Sequence, residues 1–288
     1  MRKQFGIVTP VISPFINGSI DHEAVSGLVG FVRKNGVKGI FPAGSTGCAP
    51  LLSKEQHIGI INAYADADCG PLKLFPGIGR NSIAETQEVA RAAVRSGCDA
   101  VVLVTPYYLR LDRGEVVRYY DSLLSKIDHE VIAYNIPQLT GNTIDAQMFN
   151  ELSKRHRNLI GVKDSSKDTL GFSRFCKALP DQMLIFQGED DLLLRSMSAG
   201  ASGGVCGTTN FSRDAVLLFN AYLSRRFKEA EALQKNLVKT MRALSSHTFP
   251  MPYHYLFYRK VMGREALNMP EPFPSKIDES LRRLAKYA

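Results

Sequence analysis

Val131-Ile132-Ala133-Tyr134 and Asn158-Leu159-Ile160-Gly161-Val162 are two short apolar runs; the first ends on Tyr134 and the second is followed at once by Lys163-Asp164, so each has at its end a side chain able to do chemistry. Runs of this length, rich in β-branched residues and closed by polar turns, read as buried strands of a parallel sheet. An apolar setting favours the neutral form of a lysine, the form that adds to a ketone to give a Schiff base. Tyr134 and Lys163 stand 29 residues apart, about one strand-helix unit, so a parallel barrel would set the two side chains next to each other at its catalytic rim.

The same kind of run recurs along the chain, as Gly6-Ile7-Val8, Gly39-Ile40-Phe41, Leu72-Lys73-Leu74-Phe75, Ala100-Val101-Val102-Leu103-Val104, Leu184-Ile185-Phe186 and Gly204-Val205-Cys206. With the first two this makes eight strands, separated by amphipathic stretches such as Val25, Leu28, Val29 and Val32,. Asp21, and Ser53 with Gln56, supply helix-start signals,. The expectation is an α/β fold, a closed (β/α)8 TIM barrel over residues 1–225. A doubly wound open sheet is the competing fold, but no G-x-G-x-x-G opens the first helix, and the candidate residues are spread over many strand ends. Residues 226–288 read as helices only. One carries Leu233, Leu237, Met241 and Leu244, a second runs from Tyr253 to Met262 and a third from Ile277 to Tyr287, a C-terminal extension expected on the barrel's flank.

Composition narrows the function. The 288 residues are 44% hydrophobic, enough for a packed core, and no apolar run is long enough to span a bilayer,. The N-terminus lacks the apolar stretch of a secretory signal, so a soluble cytoplasmic protein is expected. Five cysteines at irregular spacing suit neither a disulfide framework nor a metal knuckle,. The formal charge of +8 is scattered among acids, so no nucleic-acid partner is expected,. No His/Cys/Asp cluster has ligand spacing, so neither metal nor cofactor is expected.

A third strand end carries Gly44-Ser45-Thr46-Gly47, a turn whose amides and hydroxyls could cradle a carboxylate,. Gly-Ser-Thr-Gly, Thr-Pro-Tyr-Tyr, Tyr-Asn-Ile-Pro and Gly-Val-Lys-Asp, in this order, resemble the pyruvate-dependent class I aldolase and lyase family over essentially the whole chain. That family includes dihydrodipicolinate synthase, N-acetylneuraminate lyase and the 2-keto-3-deoxygluconate aldolases. The resemblance implies a homotetramer with Lys163 as Schiff-base lysine, Tyr134 as proton-shuttling phenol, and Ser45, Thr46 and Gly47 around the pyruvyl carboxylate. It likewise implies that Tyr108 is lent across a subunit interface, that Thr46 connects the two phenols, and that Val205 lies in the floor under the iminium.

Leu139 stands where the synthases carry an arginine for their second substrate's carboxylate, and a leucine cannot make that ion pair. The runs Cys48-Ala49-Pro50, Lys163-Asp164-Ser165-Ser166 and Gln187-Gly188-Glu189-Asp190-Asp191 are most similar to the archaeal 2-keto-3-deoxygluconate aldolases of the Entner-Doudoroff route. This implies cleavage of 2-keto-3-deoxygluconate to pyruvate and glyceraldehyde. Ser165, Gly188 and Asp190 would face the hydroxyls of the aldehyde half, with Arg110 near the rim. Asp190 could equally cap the next helix. N-acetylneuraminate lyase, or another pyruvate-releasing lyase, is the alternative activity, and a barrel that binds a 2-oxo acid without turnover is the non-enzymatic one. The galactonate epimer and the 6-phospho acid stay open as further substrates.

Overall fold

The computed structural model describes residues 2–274 and 276–287; Met1, Ser275 and Ala288 lie outside the described residues. Eight parallel strands form the sheet: Gly6–Thr9, Gly39–Ile40, Lys73–Leu74, Val101–Val104, Val131–Asn135, Leu159–Asp164, Leu184–Gln187 and Gly203–Val205. Seven neighbouring pairs run in the ring order of a barrel. The third and fourth strands close it beyond Leu74, where Val102 N donates to Pro76 O at 2.8 Å and Ile78 N to Val102 O at 3.0 Å. The chain is a (β/α)8 TIM barrel with C-terminal helices.

Two apolar layers follow from the alternation of side chains along each strand. Val8, Phe41, Phe75, Val102, Ile132, Tyr134, Phe186 and Val205 fill the barrel interior. Phe5 meets Phe75 at a tilt and Phe186 edge-on at the N-terminal end. The intervening residues, such as Ile7, Ile40, Leu103, Ala133, Val162 and Ile185, pack outward under the helices. Helices start where the sequence signals them. Asp21 accepts from Ala24 N ahead of His22–Lys34, and Ser53 with Gln56 forms a reciprocal capping box ahead of Lys54–Asp66.

The C-terminal segment packs its long helix against the outer helices Leu193–Ala199 and Asp214–Leu223, on the flank, and also reaches the barrel mouth. Its helices Phe227–Leu244 and Met251–Lys260 bury Leu237, Leu244, Tyr253 and Phe257, but Met241, Leu244, Phe249 and Tyr253 also wall the cavity at the barrel mouth. The break at Pro250 and Pro252 turns the chain back over the C-terminal ends of the strands. Apolar periodicity reports which face of a helix is buried, and not what it is buried against. The third expected helix is a short Glu279–Arg282 turn followed by a 3-10 segment, Arg283–Tyr287.

Candidate active site

Strand register builds the centre of the site. Tyr134 pairs with Lys163, and Asn135 with Asp164, on the fifth and sixth strands. Paired positions in parallel strands point their side chains to the same face, so Tyr134 and Lys163 both enter the barrel while Asn135 and Asp164 turn outward. Asn135 Nδ2 donates to Asp164 Oδ1 at 2.7 Å, and Asn135 Oδ1 accepts from Thr143 Oγ1 and Ile144 N. This polar clasp fixes the two strand ends from behind. Burial pushes the Asp164 carboxyl up, against the opposing pull of Asn135 and Ser166.

Lys163 is only 4% exposed. Its Nζ lies 3.9 Å from the Tyr134 ring centroid and 4.7 Å from that of Phe41, and it has no ion pair among the described residues. Aromatic faces at that range stabilise a positive charge, as a protonated imine on the same nitrogen would carry. The tyrosine hydroxyl lies 3.4 Å from Ser45 Oγ. Ser45, Thr46, Ser165, Gly188 and Val205 line, with Tyr134 and Lys163, a cavity of about 270 Å³.

Gly188 owes its identity to close approach. A Cβ there would sit 1.9 Å from Ser165 Oγ and 3.0 Å from Lys163 Cε, so any side chain would displace the lysine arm. The Gly44-Ser45-Thr46-Gly47 turn is fixed from the C-terminal segment, where His254 Nε2 meets Thr46 O at 3.2 Å. Burial holds the His254 ring down to about 4, which keeps it neutral at pH 7 and able to donate to only one carbonyl.

Several expected residues occupy other settings. Gly47 does not line the cavity; its bare Cα lets the turn press on the loop after the first strand, since a Cβ would lie 2.7 Å from Ser13 Oγ. Thr46 lines the cavity, but its hydroxyl has no hydrogen-bond partner among the described residues, and Ser45 makes the contact to Tyr134. Asp190 does line the cavity, but it offers no free carboxylate, because its oxygens cap the 3-10 turn Gly207–Asn210. It is buried, and its two oxygens accept from Gly207 N and Thr208 N, each at 2.9 Å, and from the Thr208 hydroxyl. It ties the seventh strand's loop to the turn after the eighth. Tyr108 is 90% exposed with φ of 80°, and Arg110 is exposed; neither lines the cavity.

Two residues the sequence did not single out do line it. Glu189 is paired with Lys167 at 3.4 Å, its side chain 12% exposed. Burial pushes the Glu189 carboxyl up to about 7, with Lys167 opposing. A second lobe of about 270 Å³ lies across Tyr134, lined by apolar groups including Cys48, Pro50, Leu51, Val104 and Phe273.

A (β/α)8 barrel with an amine buried beside a phenol at its mouth defines a carbonyl-handling lyase of the lysine Schiff-base class. The dihydrodipicolinate synthetase family model matches residues 3–287, and the chain belongs to that family, whose members are class I Schiff-base lyases. It is 35% identical over 254 residues to the 2-dehydro-3-deoxy-D-gluconate/2-dehydro-3-deoxy-phosphogluconate aldolase of Picrophilus torridus, covering 88% of this chain and 93% of that one. The solved 2-keto 3-deoxygluconate aldolase from Picrophilus torridus superposes with a TM-score of 0.88 over 95% of this chain and 98% of that chain. The 4-hydroxy-tetrahydrodipicolinate synthase from Methylacidiphilum fumariolicum SolV, 31% identical, superposes at 0.91 over 99% and 95%. Among the described residues no helix is long and apolar enough to cross a membrane.

Proposed function

We propose that this pyruvate-dependent lyase is an aldolase that reversibly cleaves 2-keto-3-deoxygluconate to pyruvate and glyceraldehyde. The observation that carries it is the amine of Lys163, 3.9 Å from the ring of Tyr134 inside the cavity. The choice of sugar acid over the synthase reaction is supported by Leu139 at the cavity rim, where no ion pair to a second carboxylate can form, and by the likeness to the Picrophilus torridus aldolase.

Lys163 adds to the keto carbon and, with loss of water, gives a protonated imine. Tyr134 takes the proton from the hydroxyl on carbon 4 as the bond between carbons 3 and 4 breaks. The bonding pair flows to the imine nitrogen, giving glyceraldehyde and an enamine. Carbon 3 is then protonated, and hydrolysis returns the amine and pyruvate. The imine supplies the electron withdrawal. Ser45 and Thr46 would hold the pyruvyl carboxylate, and Val205 the floor beneath it.

The reading includes a homotetramer in a reducing cytoplasm, with Tyr108 serving a neighbouring subunit's site. A non-glycine residue at positive φ with its ring in solvent is costly for a lone chain, which is the support for that role.

Pyruvate with borohydride tests the chemistry: wild type should gain the mass of a reduced pyruvyl adduct, and Lys163→Ala should not. Pyruvate release from 2-keto-3-deoxygluconate, its galactonate epimer, its 6-phospho form and N-acetylneuraminate tests the substrate. Trapping without cleavage of any 2-keto-3-deoxy acid would remove the aldolase reading, and release from N-acetylneuraminate alone would replace it with the alternative lyase.

A further inference from the structure

The cavity holds a carboxyl group that neither the Schiff-base chemistry nor the family motifs use. Glu189 follows Gly188 at the end of the seventh strand, and its backbone N–H is held by Gln187 Oε1 at 2.9 Å. Its side chain lies in the cavity wall, paired with Lys167 from the loop after the sixth strand. The two acids beside it are otherwise placed. Asp190 has its oxygens turned to the Gly207–Asn210 turn, and Asp191 Oδ1 is buried without a partner. Tyr253 joins the same wall from the C-terminal segment, its phenol pushed up by burial and then by the nearby acids, Asp190 first. Glu189 is therefore the acid with acceptor atoms left for a ligand in the half of the cavity away from the pyruvyl turn.

The cations of the same wall have little to give. Lys163 is engaged by chemistry and Lys167 is neutralised by Glu189. The ring nitrogens of His247 lie 2.9 Å from Ser246 Oγ and 3.0 Å from Ser280 Oγ. Arg110 is exposed and outside the cavity. Among the described residues the distal half thus offers one carboxyl, several neutral hydrogen-bonding groups and no unpaired ammonium or guanidinium. A polyol fits that inventory, since vicinal hydroxyls donate to a carboxylate. A phosphate dianion does not, because it would face Glu189 across a desolvated gap with no counter-charge of its own.

We propose that Glu189, oriented by Lys167, is the specificity-determining residue that receives the hydroxyls of an uncharged distal half and rejects a phosphorylated one. The proposal rests on the aldolase reading and narrows its substrate class to unphosphorylated polyhydroxy 2-oxo acids.

The test is steady-state kinetics at pH 8, where the Glu189 carboxyl is ionised, on 2-keto-3-deoxygluconate and its 6-phospho form, with pyruvate-borohydride trapping alongside. Wild type should favour the unphosphorylated acid by about 100-fold in kcat/KM. Glu189→Gln should raise KM for the unphosphorylated acid by about tenfold and narrow the preference to below about tenfold. Its trapping by pyruvate, which has no distal half, should match wild type and shows that the site is intact. Glu189→Asp, which keeps the charge, should retain the preference and recover part of the KM, and it carries the test if Glu189→Gln fails to fold. Equal cleavage of both acids by wild type overturns the inference, as does an unchanged KM and preference in Glu189→Gln. Failure of trapping in wild type is a different outcome, removing the Schiff-base reading and this inference with it.

Discussion

The two halves of the cavity are built by different means. At the pyruvyl end, Tyr134 and Lys163 are register partners on adjacent strands, and the Asn135–Asp164 clasp locks them from outside the barrel. Backbone ladder bonds fix both positions. At the distal end Glu189, Lys167, Gln138 and His247 come from loops, from the helical turn Pro137–Thr140 and from the C-terminal segment, and side-chain bonds such as Gln138 Nε2 to Ser165 O at 2.6 Å hold these segments. Gln234 is the clearest case, accepting from Leu194 N at 2.7 Å and donating to Asp190 O at 3.0 Å. Chemistry that tolerates little displacement sits on the ladder, and recognition sits on segments that can vary without disturbing it.

Replacing Tyr134 by Phe gives the largest effect expected of this contrast. The ring over Lys163 stays and only the hydroxyl goes, so kcat should fall by about 10²- to 10⁴-fold while pyruvate trapping persists. A kcat within a few-fold of wild type would take the proton transfer away from Tyr134. Gly188→Ala comes next. The added methyl collides with Ser165 Oγ and the Lys163 arm, so kcat/KM should drop by about 100-fold and trapping should slow as well. If only KM for the sugar acid changed, the boundary between the two halves would lie on the wrong side of Gly188.

The smallest expected effect is one of stability, and it separates the halves by pH. The carboxyl of Glu189 is raised in the fold from 4.5 to about 7, so folding favours its protonated form. That contribution is fully present below about 4.5 and is lost as pH rises through 7. Glu189→Gln, neutral at every pH, should therefore be more stable than wild type by about 3 kcal/mol at pH 8 and equal to it near pH 4.5, as read from urea unfolding. Equal stability at both pH values would mean that Glu189 is solvated and plays no part in the wall. His57 moves the opposite way: burial holds its ring down to about 4 from 6.5. Both proteins should thus lose stability together as pH falls from 6.5 to 4.

Much of the pyruvyl half was legible in the sequence. The eight apolar runs fall on the eight strands, with ends displaced by a residue or so, as where Leu72 to Phe75 shrinks to Lys73–Leu74. The run ending at Val162 extends through Lys163 and Asp164. Tyr134 and Lys163 could be paired from spacing because parallel strands of equal period carry register with them. The distal half was not legible in the same way. Among Glu189, Asp190 and Asp191, motif likeness favours Asp190. Both Glu189 and Asp190 line the cavity, and which of them keeps free oxygens there depends on the amides of Gly207 and Thr208, seventeen or more positions from Asp190.

The sequence by itself determined the barrel, the order of its strands and the lysine-tyrosine pair, because periodicity, strand-end placement and register are local properties repeated along the chain. The tertiary structure alone decided that the C-terminal segment reaches from the flank to the mouth, that Asp190 is tied into a neighbouring turn, and that Glu189 pairs with Lys167 at the distal pocket. Those outcomes depend on contacts between segments far apart in the chain, such as His254 against Thr46, and a buried charge takes whichever partner the packing brings within reach.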